Sequence, residues 1–368
     1  MKNLVCVLTL CVCAFAGVSV SSPGNKSTDA SPVHFVASAT TTCSKGVAAM
    51  GIYTAPYVLA YTVSGSSMNT YLKLPAGTYN TEVQEWDNCG GASKTPITLT
   101  VSGGTAPGVP LSSHVFIVME ENHSYSSVIG NSSMPYLNSL ASKYGLATQY
   151  YANTHPSIGN YFMLTTGQII TNNDSLCSTI TNDNVVRHLL TAGKTWKSYA
   201  ESLPSAGYLG CSAYPYAKKH NPLAYFSDVA NSSEKFNLVP FSKFPSDLAN
   251  HTLAEYSFIV PNLLHDAHDG SLSAADSWLK ANIAPLIASS TFQKDGLLLI
   301  VFDESFDSDT AHGGGHVVAL AIGPHVIPGH KSTFFYQHQN TLKTLMQALG
   351  LTTFPGAASS ASSMSDFF

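Results

Sequence analysis

Charged side chains are scarce in this 368-residue chain, at 11% of all residues. Acidic residues outnumber basic ones by 22 to 17, for a formal net charge of −5, and no run rich in Lys and Arg occurs. Binding to nucleic acid needs a basic patch, so no nucleic-acid partner is expected. With 44% apolar residues the chain can bury a sizeable core, which excludes a disordered polar protein.

Apolar runs long enough to approach a membrane span are also lacking, except at residues 4–20. Lys2 precedes this run and small residues follow it, which is typical of an export signal over residues 1–22. A membrane anchor is the alternative, because the run is close to the minimum spanning length. No charged stop-transfer pattern follows, which favours removal of the signal, a secreted, periplasmic or extracellular location, and no stable membrane insertion afterwards.

Cysteine is infrequent but informative, with seven residues, three of them inside the predicted signal. An even set of four in an exported chain predicts two disulfides. Four cysteines allow three pairings. Proximity in the sequence and the predicted domain boundaries favour Cys43–Cys89 and Cys177–Cys211.

The chain changes character near residue 104. Residues 31–103 contain short alternating segments at 33–37, 58–63, 70–74, 81–86 and 97–101, separated by turn residues. This spacing predicts a small all-β sandwich. Residues 104–112 have the composition of a linker, residues 113–355 form a second domain, and the Ala/Ser-rich residues 356–368 are expected to be a flexible tail.

The second domain alternates apolar runs with helix-length segments at 134–144, 185–192, 274–288 and 339–349. The runs at 115–119, 256–260, 297–302 and 317–322 have the length of strands that are buried on both faces. Together they predict an α/β domain with a doubly wound, mostly parallel sheet.

Polar clusters adjoin these runs. Glu120, Glu121 and Asn122 follow the first, Asp303 and Glu304 follow the third, and residues 265–269 (His-Asp-Ala-His-Asp) follow the second. The fourth run is preceded by residues 312–316 (His-Gly-Gly-Gly-His). Ligands bind at the carboxyl ends of strands in open α/β sheets, so acidic residues there predict a cation site.

Ser157 lies between Pro156 and Gly159, just before a helix-like stretch at 160–166. The N–H groups and the dipole at a helix N-terminus favour both a serine alkoxide and an incoming anion. An ordinary N-cap serine is the alternative interpretation.

Five motifs in order resemble a known family. They are Val118-Met-Glu-Glu-Asn-His-Ser124, His155-Pro-Ser157 with Asn160 and Tyr161, Lys219-His-Asn-Pro222, Pro261-Asn262 with His268-Asp269, and Phe302-Asp-Glu304. The set resembles the phosphoesterase family that holds acid phosphatase A-type enzymes and bacterial phospholipases C, over residues 113–350. The resemblance implies a fold of the alkaline phosphatase-like type. In the first domain, Leu74-Pro-Ala-Gly-Thr-Tyr79 and Val83-Gln-Glu-Trp-Asp87 resemble bacterial immunoglobulin-like modules.

The resemblance also implies roles for individual residues. The implied metal ligands are Glu121, Asn122, Ser157, Asp303 and Glu304. The implied catalytic groups are Ser157 as nucleophile with Asn160, His220 and His268 around the phosphate. Further substrate-binding candidates are Lys219, His155 and His316. Glu120 is interpreted as a solvated neighbour of Glu121, and His220 equally well as a loop histidine.

Oxygen ligands suit one divalent cation such as Mg²⁺, Ca²⁺ or Mn²⁺. The expected function is a secreted, metal-dependent phosphoesterase that hydrolyses phosphate monoesters through a phosphoserine, with the first domain as an accessory module. The alternatives are a phospholipase C or phosphodiesterase of the same family, and a surface-binding protein whose phosphoesterase domain is inert.

Overall fold

A computed structural model describes residues 17–29, 31–72, 74, 77–101 and 108–368 of the protein. The chain divides into two compact units, residues 1–106 and 107–368. Helices in the described ranges are all too short or too polar to cross a membrane. Residues 1–16 of the predicted signal and residues 104–107 of the predicted linker lie outside the described residues.

The first unit is built from strands in two sheets. Its strands are β1 (Gly17–Ser22), β2 (Ser27–Asp29), β3 (Val33–Thr40), β4 (Val47–Ala55), β5 (Val58–Ser64), β6 (Ser67–Leu72), β7 (Gly77–Asp87) and β8 (Ala92–Val101). One sheet has the order β1-β3-β6, and the other has the order β2-β8-β7-β4-β5. Apolar residues from both sheets, such as Phe35, Ile52 and Val83, share one core. The predicted all-β domain is present, and its immunoglobulin-like type stays a prediction.

Alternation explains how these strands form. Every second residue along β3 is buried from Val33 to Ala39, as expected of a strand with one face on a core. The predicted disulfide Cys43–Cys89 is confirmed. Residues 17–22 of the predicted signal form β1, an edge strand that pairs with β3, and cleavage after residue 22 would remove this strand.

The second unit alternates strands and helices. Its strands are β9 (Val115–Glu120), β10 (Gly145–Ala147), β11 (Trp196–Ala200), β12 (Leu238–Pro240), β13 (Tyr256–Val260), β14 (Leu297–Phe302), β15 (Ala319–Ile322) and β16 (Lys331–Ser332). Its α-helices are α1 (Tyr125–Val128), α2 (Pro135–Lys143), α3 (Ser157–Thr166), α4 (Val185–Thr191), α5 (Ser227–Ala230), α6 (Phe244–Ala249), α7 (Leu272–Ala288), α8 (Ser290–Asp295) and α9 (His338–Ala348).

The strands form one mixed sheet in the order β12-β11-β13-β9-β14-β15-β10-β16. Neighbours from β12 to β14 are parallel, and β15 runs antiparallel to β14 and β10. After β9 the chain places β10 on one side and β11 on the other, so strand order reverses there, and such reversals create ligand crevices. The predicted α/β architecture and the four predicted strands are confirmed.

The C-terminus contradicts the expectation of a flexible tail. Residues 356–368 contain two short 3-10 helices, Gly356–Ser359 and Ser365–Phe367. Ala358, Met364 and Phe367 are buried in the main core of the second unit. Burial of a phenyl ring and a thioether outweighs the Ala/Ser-rich composition on which the expectation rested. The second predicted disulfide, Cys177–Cys211, is confirmed.

Candidate active site

The first two acidic clusters meet at one edge of the sheet. Strands β9 and β14 pair in parallel up to Phe302 and Glu120, and the amide of Asp303 then donates to the Glu120 carbonyl at 3.0 Å. Asn122 has a left-handed backbone (φ 47°), which asparagine tolerates, and its amide donates to Asp303 Oδ1 at 3.2 Å. The pairing of two distant apolar runs therefore brings Glu121 and Asp303 side by side.

Ser157 lies directly over these acids. It is the first residue of α3, is fully buried, and its Oγ lies 3.2 Å from Glu121 Oε2 and 3.0 Å from Glu304 Oε1. The N-cap position belongs to Pro156, so the alternative of an N-cap serine does not apply. The hydroxyl faces carboxylates instead of the amides of its own helix. It therefore does not cap the helix and is available for chemistry.

The carboxyls of Glu121, Asp303 and Glu304 lie close together and need a nearby positive charge to ionise. Burial raises the pKa of Glu121 well above its usual range, and Asp303 raises it further. Burial and the neighbouring Glu304 do the same to the pKa of Asp303, and burial also raises the pKa of Glu304. Asn122 Oδ1 and Asp303 Oδ2 are buried without a hydrogen-bond partner among the described residues. Orphaned oxygens beside crowded carboxyls fit a divalent cation.

His220 lies on the other side of Glu121. Its Nε2 is 3.3 Å from Glu121 Oε1 and its Nδ1 is 3.2 Å from Asp266 Oδ2, in neither case with hydrogen-bond geometry. Burial lowers the pKa of this histidine well below its usual value, so the ring is neutral. Its ring stacks on Tyr161 at 5.1 Å, and the Tyr161 hydroxyl donates to Glu121.

Glu121, His220 and Asp266 form a second grouping able to hold a metal. One atom from each of the three residues lies within 4.8 Å of the others. The comparable grouping of Cys43, Asp87 and Cys89 in the first unit has both sulfurs in a disulfide, so it offers no thiolate. Glu121 is thus common to the oxygen-rich set beside Ser157 and to this histidine-containing set.

Asp266 is a site residue that the sequence analysis left without a role. Its carbonyl accepts from the Glu121 amide at 2.7 Å, and its Oδ1 accepts from the His268 amide at 2.9 Å. Burial raises its pKa to about 7. The predicted catalytic His268 lies nearer to solvent, with Nδ1 2.7 Å from Asp269 Oδ1 and its ring 5.7 Å from that of His220.

Two predicted residues support the site from behind. The Asn160 side chain accepts from the amides of Asn153 and Thr154 and donates to the Thr154 carbonyl at 2.7 Å, so its amide holds the segment before Ser157. His155 Nδ1 lies 2.6 Å from Glu304 Oε2, and its Nε2 lies 3.0 Å from a backbone carbonyl, which orients the carboxyl that faces Ser157.

Lys219 and His316 occupy different surroundings. Burial lowers the pKa of Lys219, but Glu121 and Asp174 raise it by more, so the ammonium stays charged. His316 precedes the antiparallel β15 and therefore lies at the same sheet edge. However, its ring stacks between Tyr125 and Tyr151, at 4.4 and 4.8 Å, so the structure does not bring it into the group around Ser157.

Glu120 contradicts the interpretation of a solvated neighbour. It is the last residue of β9, is fully buried, and neither carboxyl oxygen has a hydrogen-bond partner among the described residues. Burial raises its pKa well above the usual range, and the nearby Asp266 and Asp276 add to the effect. Successive residues of a strand face opposite sides of the sheet, so Glu120 points away from Glu121 and into the core.

Other residues support the site although the sequence motifs assign them no role. His338 at the start of α9 has Nε2 2.6 Å from the Asp303 carbonyl, and its Nδ1 lies 3.0 Å from the Tyr150 hydroxyl. Tyr161 belongs to the second motif without an assigned role, and its hydroxyl donates to Glu121. Asp266 lies in the polar cluster at residues 265–269, so the sequence did indicate its position. His338 lies at the start of a helix with no motif, so no pattern in the sequence indicated its role.

A buried serine beside acids thus lies at the carboxyl edge of a mostly parallel sheet, which is where α/β proteins bind their ligands. A model of the Phosphoesterase family matches residues 131–352, more than half of the chain. The protein belongs to the Phosphoesterase family, and it is a hydrolase acting on phosphoric ester bonds.

Two curated relatives are similar over most of their length. A phosphatidylinositol-3-phosphatase of Mycobacterium tuberculosis is 37% identical over 251 residues, 68% of this chain and 81% of the relative. A probable acid phosphatase of Kluyveromyces lactis is 31% identical over 299 residues, 78% of this chain and 68% of the relative. A phosphate ester is accordingly the class of substrate.

One solved structure supports the fold. The lipoteichoic acid synthase LtaP from Listeria monocytogenes aligns with a TM-score of 0.50 at 12% identity, covering 67% of this chain and 74% of that chain. At this identity the likeness speaks for the α/β fold alone. A protein in the alkaline phosphatase superfamily from Vibrio parahaemolyticus aligns with a TM-score of 0.47 at 14% identity, covering 68% of this chain and 71% of that one.

Proposed function

We propose that the protein is an exported, divalent-metal-dependent phosphatase that hydrolyses phosphate monoesters through Ser157. The observation that carries the proposal is the buried Ser157 Oγ between Glu121 and Glu304, at 3.2 and 3.0 Å. A hydroxyl in contact with two carboxyls has a proton acceptor at hand. The family match supports the reaction class, and the two disulfides agree with export.

The donor set supports a hard cation. Glu121, Asn122, Ser157, Asp303 and Glu304 offer oxygen only, which suits Mg²⁺, Ca²⁺ or Mn²⁺. The orphaned Asn122 Oδ1 and Asp303 Oδ2 support this set. The set of Glu121, His220 and Asp266 would suit a borderline cation such as Zn²⁺. When bound, a divalent cation lowers the pKa of the serine hydroxyl and neutralises charge on phosphoryl oxygens.

The residues of the chain supply the remaining steps. Ser157 transfers its proton to an adjacent carboxylate as Oγ attacks phosphorus, which gives a phosphoserine and releases the ester oxygen. His268, partly exposed and close to His220, protonates that leaving oxygen. Water then attacks the phosphoserine, Ser157 recovers a proton, and phosphate leaves. Lys219 and His220 stabilise the charge on the phosphoryl oxygens in both steps.

Diester hydrolysis is the rival within the same family. The buried surroundings of Ser157 favour a small phosphoryl group, and the Mycobacterium tuberculosis relative is by its name a phosphatase. An assay of p-nitrophenyl phosphate beside bis-p-nitrophenyl phosphate and phosphatidylcholine separates the two. A higher kcat/KM on either diester would refute the monoester proposal.

The nucleophile is tested with Ser157→Ala. We expect kcat to fall by roughly 10³-fold or more, because no other group replaces the attacking oxygen. Ser139→Ala is the matched control, since that hydroxyl is exposed and only bonds its own helix through the Tyr136 carbonyl. Mass spectrometry of acid-quenched wild type should find phosphate on the peptide that contains Ser157. Equal activity of the Ser157→Ala variant and the wild type would remove this serine from the mechanism.

The metal is tested separately. Complete chelation should abolish hydrolysis, and re-addition of one of the divalent cations should restore it. Elemental analysis of the active protein identifies the ion. Full activity of a protein free of metal by elemental analysis would contradict the metal-dependent proposal while leaving the serine test unaffected.

A further inference from the structure

The loop between α3 and α4 packs directly on the turn that carries Ser157. Gly159, two residues after the serine, has no room for a side chain: a Cβ there would lie 2.4 Å from Asn172 Oδ1 and 2.5 Å from Thr154 Cγ2. Asn172 also donates to Thr154 Oγ1 at 2.9 Å. The loop is therefore in close contact with both sides of the serine turn.

Asp174 in this loop joins two parts of the site. Its Oδ1 accepts from the amide of Ile158, the residue after Ser157, at 3.2 Å. Its Oδ2 accepts from Lys219 Nζ at 2.7 Å. The two oxygens of one carboxylate thus connect the backbone beside the nucleophile with the Lys219 ammonium, which faces the phosphate in the proposed function.

The surrounding contacts hold Asp174 in place. Lys218 Nζ donates to the carbonyls of Cys177 and Leu209, both at 2.8 Å, and the Cys177–Cys211 disulfide ties the same two segments together. The Tyr225 hydroxyl donates to the Leu176 carbonyl at 3.0 Å. A carboxylate held on a fixed loop fixes its partners in turn, since little conformational freedom remains to be lost on binding.

We propose that Asp174 is a positioning residue: it fixes Lys219 relative to Ser157 and thereby sets the affinity of the site for a phosphoryl group. The inference rests on the proposed function. A flexible lysine loses side-chain conformational entropy when it binds an anion. Because Lys219 is already held by Asp174, most of this loss does not occur on binding. The side chains of Lys219 and Asp174 are only 17% and 28% exposed, so solvent screens the contact weakly.

Simple electrostatics predicts the opposite effect of removing this carboxylate. Asp174 is negative and near the phosphate, so charge alone would make Asp174→Asn bind phosphate more tightly. Positioning predicts weaker binding, because Lys219 is released. Asparagine keeps an acceptor for the Ile158 amide. The substitution therefore removes the ion pair with Lys219 and retains the contact with the helix. The sign of the change therefore discriminates between the two effects.

The test measures KM for p-nitrophenyl phosphate and the Ki of inorganic phosphate as competitive inhibitor. In Asp174→Asn we expect both constants to rise roughly tenfold, as for a lost charge-assisted hydrogen bond, with kcat changed much less. Asp174→Glu, which keeps the charge, should recover part of the loss. In the Lys219→Met background the Asp174→Asn change should raise neither constant further, because no lysine is left to be released.

Glu255→Gln is the matched control. Glu255 pairs with Lys194 at 2.9 Å and accepts from the Thr195 amide at 2.9 Å, so it combines an ion pair and a backbone contact at similar exposure outside the site. It should leave KM and Ki at wild-type values.

Three results would overturn the inference while the wild type remains an active, phosphate-inhibited enzyme. They are unchanged constants in Asp174→Asn, a lower Ki in that variant, and a rise in either constant that persists in the Lys219→Met background. A thermal midpoint lowered more than in Glu255→Gln with unchanged KM would show a purely structural role and also overturns it. If the wild type hydrolyses no phosphate monoester, the proposed function itself fails.

Discussion

Replacing Asp266 by asparagine should make the metal-free protein less sensitive to rising pH. Burial raises the pKa of Asp266 from 3.8 to about 7. Between those values the folded protein keeps a proton that the unfolded chain has released, so the free energy of unfolding falls as pH rises through this window. Asparagine does not titrate, and its amide oxygen can still accept from the His268 amide, now 2.9 Å from Asp266 Oδ1.

The two pKa values give the size of the effect. Between pH 5 and pH 8, a shift from 3.8 to about 7 changes the free energy of unfolding by roughly 2 to 3 kcal/mol. The wild type in chelator should lose that much more stability over the interval than Asp266→Asn. Glu121, Asp303 and Glu304 have raised pKa values of the same sign, so both proteins should lose some stability.

Urea unfolding in chelator, followed by tryptophan fluorescence, measures this difference. The Trp86→Phe background leaves Trp196 and Trp278 as reporters, both in the second unit. Asp309→Asn is the control: burial raises the pKa of Asp309, but hydrogen bonds from the His316 and Ala311 amides lower it by more. That group is ionised in both states above pH 5. Equal pH dependence of wild type and Asp266→Asn would refute the burial argument.

Two further predictions concern packing. Gly159→Ala should lower kcat/KM by on the order of 10²-fold, because the added Cβ would displace Asn172 and the turn that carries Ser157. Gly108→Ala, with open space around the added Cβ, should behave as wild type. Equal kinetics of the two variants would show that the serine turn accommodates the methyl group without loss of activity. Phe367→Ala should lower the free energy of unfolding by about 3 to 5 kcal/mol in urea titrations, because the ring is fully buried. Phe335→Ala, at a 48% exposed position, should cost much less, and similar losses at both positions would mean that the C-terminal residues do not pack as described.

The strands of the second unit follow from local sequence. Apolar runs of five or six residues fit a parallel sheet covered on both faces, and β9, β13 and β14 form where those runs stand. The same rule placed the polar residues that follow them at one edge. That expectation needed no knowledge of strand order, because parallel strands carry their carboxyl ends to the same side.

Side-chain direction was the part that the sequence left open. Glu120 and Glu121 are identical in type and adjacent, yet one faces the core and the other faces Ser157, which depends on the register of β9 in the sheet. Asn160 lies in a recognised motif, but its amide is used by backbone groups of residues 153 and 154. Each side chain's partners come from segments distant in the chain.

By itself the sequence determined the α/β class, the positions of the main strands, both disulfides, and the acids and serine of the proposed site. Local periodicity and motif spacing carry that information, because they reflect which residues face a core or end a strand. The tertiary structure alone decided that Asp266 and Asp174 contact residues of the proposed site, that Glu120 is buried and not exposed to solvent, and that the C-terminal residues pack in the core. Those outcomes depend on contacts between distant segments, and burial sets both the pKa values and the partners of the groups involved.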